Sequence, residues 1–271
     1  MSRQRKLHPD VATATSPTPF MPIDLPQSLC FRVTRYCNAR CGFCLAPPDG
    51  AHPNVETLTR RIDWLVAHGV RTLHFCGGEP TIHPGLPQLL AHVKSQGGKT
   101  KMTTNGISMP DSLLPVLRAT GTQVKVSLHG NREHHDAMVG RKAFDQTTET
   151  IRRLLAANIR TSVQTTVVAA GMEPVNWVVE FCLNSKVRRL SILPFIPRGN
   201  GGHRRSDYDL SPAQHQAIRE LIARKRRKLA GRLDLSWLDF SAQPIHVVEA
   251  DGRVILEHAT EAGDKVLCQL P

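Results

Sequence analysis

Cys37, Cys41 and Cys44 stand at spacing C-x3-C-x2-C in Tyr36-Cys37-Asn38-Ala39-Arg40-Cys41-Gly42-Phe43-Cys44. Iron–sulfur clusters are held by cysteine thiolates at short spacings, normally four of them. A loop that offers three fits a four-iron cluster in which one iron keeps an open position, which a cluster needs if it is to act on a bound molecule. Zinc is the rival metal, but a closed zinc site takes four ligands and no C-x2-C partner pair lies nearby. A third reading leaves the thiols as free packing groups. Clustering argues against it, because grouped cysteines in a reduced protein usually have a redox or metal role.

The elements around this loop follow a regular alternation. Short β-rich runs at 29–34, 72–76, 99–103, 124–128, 161–168 and 189–194 read as strands, separated by amphipathic helical stretches at 55–68, 86–95, 112–120, 145–157 and 174–184. Six βα-type units predict an α/β fold with a parallel sheet, and the cysteine loop follows the C-terminal end of the first strand. That end carries the active site in α/β barrels. Residues 1–27, rich in Ser, Thr and Pro, read as a flexible arm. Beyond residue 200 a basic glycine-rich loop, a helix from Ser211-Pro212 to about Lys228, a short strand at 233–238 and a hairpin over 245–256 turning at Asp251-Gly252 form a C-terminal extension.

The cysteine spacing, Phe43 before the last cysteine, and Phe75-Cys76-Gly77-Gly78-Glu79-Pro80 about thirty residues on together resemble the radical S-adenosylmethionine superfamily. The resemblance covers roughly residues 28–200. It implies a partial (β/α)6 TIM-type barrel over 28–200, closed by the extension at 201–271, a [4Fe-4S] cluster on Cys37, Cys41 and Cys44, and S-adenosylmethionine chelated by the open iron. Reductive cleavage would give a 5′-deoxyadenosyl radical that takes hydrogen from a substrate. By the same resemblance Phe43 lies against the adenine, and Gly77, Gly78 and Glu79 meet the methionine part. Thr104, Asn105, Ser127, Gln164 and Leu193 are further cofactor contacts. Glycine at 77 and 78 has its own physical reading, that a ligand must approach the strand-end backbone closely.

Strand alternation puts Lys125, Ser127 and His129 on one face. A buried Lys125 needs an anionic partner, either a substrate group or an internal carboxylate, and His129 is a candidate proton donor. Arg198 and Arg204, with His203 and Arg205, sit beyond the sixth strand where a loop could clamp an anion.

Net charge is +12, which suits either a nucleic-acid partner or an anionic substrate drawn in electrostatically. Aromatic residues make up only 5%, with no basic–aromatic interleaving for base stacking, so a solvated basic face is favoured over a nucleic-acid site. No run of eighteen apolar residues and no secretory signal is present, so no membrane is expected and the location is read as cytoplasmic.

Gly140-Arg141-Lys142-Ala143-Phe144-Asp145 and Ile151-Arg152-Arg153-Leu154-Leu155 resemble the molybdenum-cofactor and peptide-maturase branch. Cys182 and Cys268 are isolated and build no auxiliary cluster, a departure that weighs against GTP cyclisation and peptide maturation. Leu45-Ala46-Pro47-Pro48 likewise departs from viperin-like CTP dehydratases. The expectation is a single-cluster enzyme acting on a small anionic substrate, a sugar or nucleoside intermediate of natural-product biosynthesis, with flavodoxin or ferredoxin as electron donor. The alternatives are a radical enzyme that modifies RNA or a peptide, and a non-catalytic iron–sulfur protein.

Overall fold

The structure, a computed structural model, describes residues 24–240 and 243–271, so most of the expected arm (1–27) lies outside the described residues. The chain runs β1 (Ser28–Thr34), α1 (Val55–Ala67), β2 (Thr72–Gly77), α2 (Leu86–Ser95), β3 (Lys99–Thr104), α3 (Leu113–Thr120), β4 (Gln123–Ser127), α4 (Arg132–Val139), α5 (Phe144–Ala156), β5 (Thr161–Val167), α6 (Glu173–Asn184) and β6 (Arg189–Pro194). It continues through α7 (Arg205–Tyr208), α8 (Pro212–Lys228), β7 (Asp234–Trp237), β8 (Ile245–Val248), β9 (Arg253–Glu257) and β10 (Lys265–Gln269).

These strands make one sheet in the order β10-β9-β8-β1-β2-β3-β4-β5-β6-β7. Pairing is parallel from β8 through β7 and antiparallel along β8–β9–β10. The expected βα alternation is the architecture, a partial α/β barrel. Period-two patterning builds it: Leu29, Phe31 and Val33 of β1 face outward and are buried against helices, while Cys30 and Arg32 face a central cavity. Leu58, Ile62 and Leu65 supply the matching stripe of α1, whose first turn is capped by Asn54 accepting the Thr57 N–H at 2.9 Å.

The tail behaves differently from a separate extension. β7 continues the barrel beside β6, and β8 crosses to the opposite edge and pairs with β1. A boundary at residue 200 would therefore cut one continuous sheet. β7 and β10 end the order on opposite sides and do not pair with each other. The sequence reading did not anticipate α4, β10 or the short α7, which falls in the stretch read as a basic loop. Only His135, Met138 and Val139 of α4 are buried, too short a stripe to read as a helix. β10 is an edge strand whose Val266 is exposed.

Candidate active site

The cysteine loop is bolted to three neighbouring segments. The Arg40 N–H donates to Val139 O at 2.9 Å, and Arg141 Nη1 donates to Asn38 O at 2.6 Å. Asn105 Nδ2 donates to Asn38 Oδ1 at 2.7 Å, and the Asn200 N–H donates to Cys44 O at 2.9 Å. The Gly140 turn caps α4 at φ 70°, and a Cβ there would sit 2.6 Å from Arg40 O. Only glycine lets the α4 end come this close to the loop. Phe43 anchors the far side: its ring meets His129 edge-on at 5.0 Å and Tyr208 at 6.3 Å.

Cys37, Cys41 and Cys44 border a cavity of about 430 Å³ at the C-terminal end of the strands. Burial pushes all three thiols up, Cys41 to about 12; for Cys44 the Arg35 and Arg32 guanidinia partly oppose it. Bound iron would reverse that balance, since a coordinated thiol is held as thiolate. The loop brings three thiols to the cavity wall, one fewer than the four ligands of a closed zinc site. Three soft thiols on one anchored loop, opening onto a cavity, fit a cluster with an open iron.

Of the expected cofactor and substrate residues, Phe43, Gly77, Gly78, Glu79, Thr104, Asn105, Lys125, Ser127, His129, Gln164, Leu193 and Arg198 border this cavity, whereas His203, Arg204 and Arg205 do not. Several do work other than that expected. A Cβ on Gly77 would collide with Thr34 O, and one on Gly78 would collide with Tyr36 O. These glycines therefore admit the chain's own backbone at and just past the end of β1, not only a ligand. Glu79, 1% exposed, already accepts four hydrogen bonds from the chain. Its Oε1 accepts from the Thr81 N–H at 3.0 Å and from the Thr81 and Thr104 hydroxyls at 2.7 Å each, and its Oε2 accepts from the Asn105 N–H at 2.7 Å. Burial still raises its carboxyl above the ordinary value, against the downward pull of those bonds. Glu79 ties the end of β2 to the end of β3.

Gln164 Nε2 donates to Ser127 Oγ at 3.0 Å, joining β4 to β5 on the cavity wall. His129 is 3% exposed, and its Nδ1 accepts the Thr166 N–H at 3.2 Å. Burial, then the neighbouring His135 and His134, hold it well below the usual imidazole value. The neutral ring thus carries its proton on Nε2. Lys125 forms no ion pair among the described residues; burial lowers its ammonium first, then Lys101 and Arg189, with Cys30 opposing.

The three arginines expected to clamp an anion are engaged elsewhere, Arg205 with Asp209 at 2.8 Å. Arg198 is 7% exposed. It grips Asp264 at 2.8 and 3.0 Å and donates to His258 O at 2.7 Å. Arg204 is exposed, paired with Asp207 at 2.8 Å and laid over Tyr208 at 5.4 Å. Spacing alone could not reveal these partners.

The sequence reading missed Cys30, Arg32, His74, Cys76, Thr103 and Glu257 on the cavity wall. Period-two alternation on β1 to β3 was signal enough for the first five. Glu257 pairs with Arg32 at 2.7 Å across 225 residues of chain, and no local pattern announces that.

The Radical SAM superfamily profile matches residues 31–180. The sporulation killing factor maturation protein SkfB of Bacillus subtilis is 28% identical over 218 residues, 78% of this chain and 52% of that protein. The GTP 3′,8-cyclase of Chlorobaculum tepidum is 33% identical over 146 residues, 52% of this chain and 44% of that protein. The chain thus spans about half the length of the curated relatives it matches. Among solved structures, Streptococcus suis SuiB bound to precursor peptide SuiA superposes with a TM-score of 0.72 at 16% identity, over 84% of this chain and 58% of SuiB. Members of this family bind a [4Fe-4S] cluster and S-adenosylmethionine and require a reductant and a substrate. With more than half of its length matched by the family profile, the chain belongs to the radical SAM superfamily of enzymes.

Proposed function

We propose that the protein abstracts hydrogen from a substrate that presents an anionic group to Lys125. Cys37, Cys41 and Cys44 would hold the cluster, and with S-adenosylmethionine bound it supplies a 5′-deoxyadenosyl radical as the hydrogen-abstracting agent. Ser127, Gln164 and Leu193 would border the cofactor. His129 would offer its Nε2 proton to a substrate oxygen or to an anion formed late in the reaction.

The carrying observation is Lys125, a half-buried cation on the cavity wall with no carboxylate partner among the described residues. A desolvated ammonium without a counter-charge is costly, and a substrate carboxylate or phosphate would relieve that cost. A sugar or nucleoside acid, taking electrons from a flavodoxin or ferredoxin, suits this reading. A peptide with an acidic residue or a terminal carboxylate is the second reading, supported by relatives named for peptide maturation and by the peptide-bound SuiB neighbour.

The test measures binding of nucleoside acids, sugar acids and acidic peptides, each beside its neutral counterpart, to the cluster-loaded protein and to Lys125→Met. Selective binding of acids that is lost in the variant is expected. Equal binding of acid and neutral forms, or no effect of the variant, would sink the proposal.

A further inference from the structure

A row of exposed cations lies at the end of the barrel opposite the cysteine loop. In a parallel sheet every strand begins at the same end, so the residues that lead into the strands share one face. Arg71 precedes β2, Lys99 opens β3, Arg160 precedes β5, Arg188 precedes β6, and Arg232 lies two residues before β7. All five are exposed. α8 runs down to this same end, and its last turn is Lys225-Arg226-Arg227-Lys228.

Compensation differs between the two ends. Near the cysteine loop Arg132 pairs with Asp145 at 2.5 Å, Arg198 with Asp264 at 2.8 Å and Arg204 with Asp207 at 2.8 Å, although Arg40 and Arg141 form no ion pair among the described residues. At the strand-start end, among the described residues, Arg189 pairs with Asp234 at 3.2 Å and Arg224 reaches Glu220 at 4.0 Å. Arg160 donates only to the Gly121 carbonyl, at 3.2 Å. Arg71, Lys99, Arg188, Arg232 and the last turn of α8 form no ion pair among the described residues. The helix dipole favours cations in a last helical turn, which covers α8. It does not account for the five cations placed past the helices, at the mouths of the strands.

We propose that this face docks an acidic polypeptide segment of a partner protein. Like charges held together without counter-ions raise the local potential and steer an oppositely charged chain onto the face. A polypeptide fits better than a nucleic acid, because the residues that open β2 to β7, namely Thr72, Lys99, Gln123, Thr161, Arg189 and Asp234, include no aromatic platform. Docking here leaves the cysteine end free, since a six-residue strand separates the two ends by roughly 20 Å. The inference is independent of which molecule enters the cavity.

The experiment follows fluorescence anisotropy of a labelled oligoglutamate peptide titrated with the cluster-loaded protein, at low and at high salt. A neutral Gly-Ser peptide and a single-stranded RNA oligomer serve as comparison probes. The variants are Lys99→Glu/Arg188→Glu/Arg232→Glu and, as a milder set, the same positions changed to Gln. Circular dichroism and S-adenosylmethionine cleavage, which these positions do not touch, report that each variant is folded. Oligoglutamate is expected to bind the wild type, to weaken with salt, and to bind at least about tenfold more weakly to the charge-reversed protein. No binding of oligoglutamate, or equal binding to wild type and to both variants, overturns the proposal. RNA binding tighter than oligoglutamate and lost in the variants also overturns it, and makes the face a nucleic-acid surface instead.

Discussion

Glu79 Oε2 accepts the backbone N–H of Asn105 at 2.7 Å, so the carboxylate that ends β2 holds the turn that ends β3. Asn105 in turn donates to Asn38 Oδ1 and stands 3.8 Å from Cys37 Sγ. Glu79 therefore reaches the cysteine loop through one intermediate residue. Glu79→Gln would set an amide NH2 against donors that now point at a carboxylate. Leaving one or two buried donors unmet costs about 1–3 kcal/mol each. The variant is expected to unfold at lower urea and to retain less iron after reconstitution; wild-type values for both would refute this role.

Arg32 binds Glu257 at 2.7 Å and also Glu249, and all three are at least nine-tenths buried. Glu249 additionally receives Arg35 at 3.3 Å, and Arg35 reaches Pro47 O at 2.5 Å just past the cysteine loop. This network ties the C-terminal hairpin to β1. Removing one member of a buried ion group costs about 3–5 kcal/mol, because its partner stays buried and unpaired. Arg32→Met should lower unfolding free energy by about that amount, whereas exposed Arg60→Met, which breaks the contacts to Glu56 at 3.0 Å and Thr57 at 3.2 Å, should change it by less than about 1 kcal/mol. Similar losses from the two variants would show that the network contributes little.

His135 is fully buried, and burial pushes its imidazole down to about 4; His129 is likewise held well below the ordinary value. Unfolded, both histidines take up protons near the reference value of about 6.5. The unfolded chain therefore binds more protons as pH falls below that point, and stability declines from about pH 6.5 toward pH 4. For His135 alone the shift corresponds to about 3 kcal/mol over that window. Urea unfolding at pH 7.5 and pH 5 is expected to show this decline, reduced in His135→Gln. A flat profile through that range would contradict the buried neutral rings.

Gly78 lies where a Cβ would collide with Tyr36 O. Gly78→Ala must push the β1 end and the cysteine loop apart, so iron loading should fall well below that of wild type. Gly97, at φ 75° with open space for 4 Å around the place a Cβ would take, should carry alanine at a cost of backbone strain alone and load iron normally. Equal loading of Gly78→Ala and wild type would remove the close-packing account.

Periodicity made the barrel legible, because six strands and their helices each repeat a short apolar pattern that local sequence contains. The cysteine triplet was legible for the same reason, all three ligands lying within one loop. What stayed hidden depends on contacts distant in sequence. Gly77 and Gly78 read as ligand-facing, and they line the cavity, but they also pack on the carbonyls of Thr34 and Tyr36, contacts no local pattern announces. Arg198 read as a free clamp, yet Asp264 neutralises it 66 residues later. Strand β8 gave a hairpin signal, but nothing local says that it joins β1 and not β7. The alternation that placed Lys125 on the cavity face would equally have placed Cys30, His74 and Cys76 there.

The most direct measurement follows S-adenosylmethionine cleavage by the anaerobically reconstituted, dithionite-reduced protein, with 5′-deoxyadenosine quantified by mass spectrometry beside Cys41→Ala. The wild type is expected to form 5′-deoxyadenosine and methionine, and Cys41→Ala, lacking one of three cluster ligands, to form none. A wild-type protein with a full cluster that leaves S-adenosylmethionine intact, or a variant that cleaves it equally, would contradict the assignment of Cys37, Cys41 and Cys44 as the ligands of a catalytic cluster.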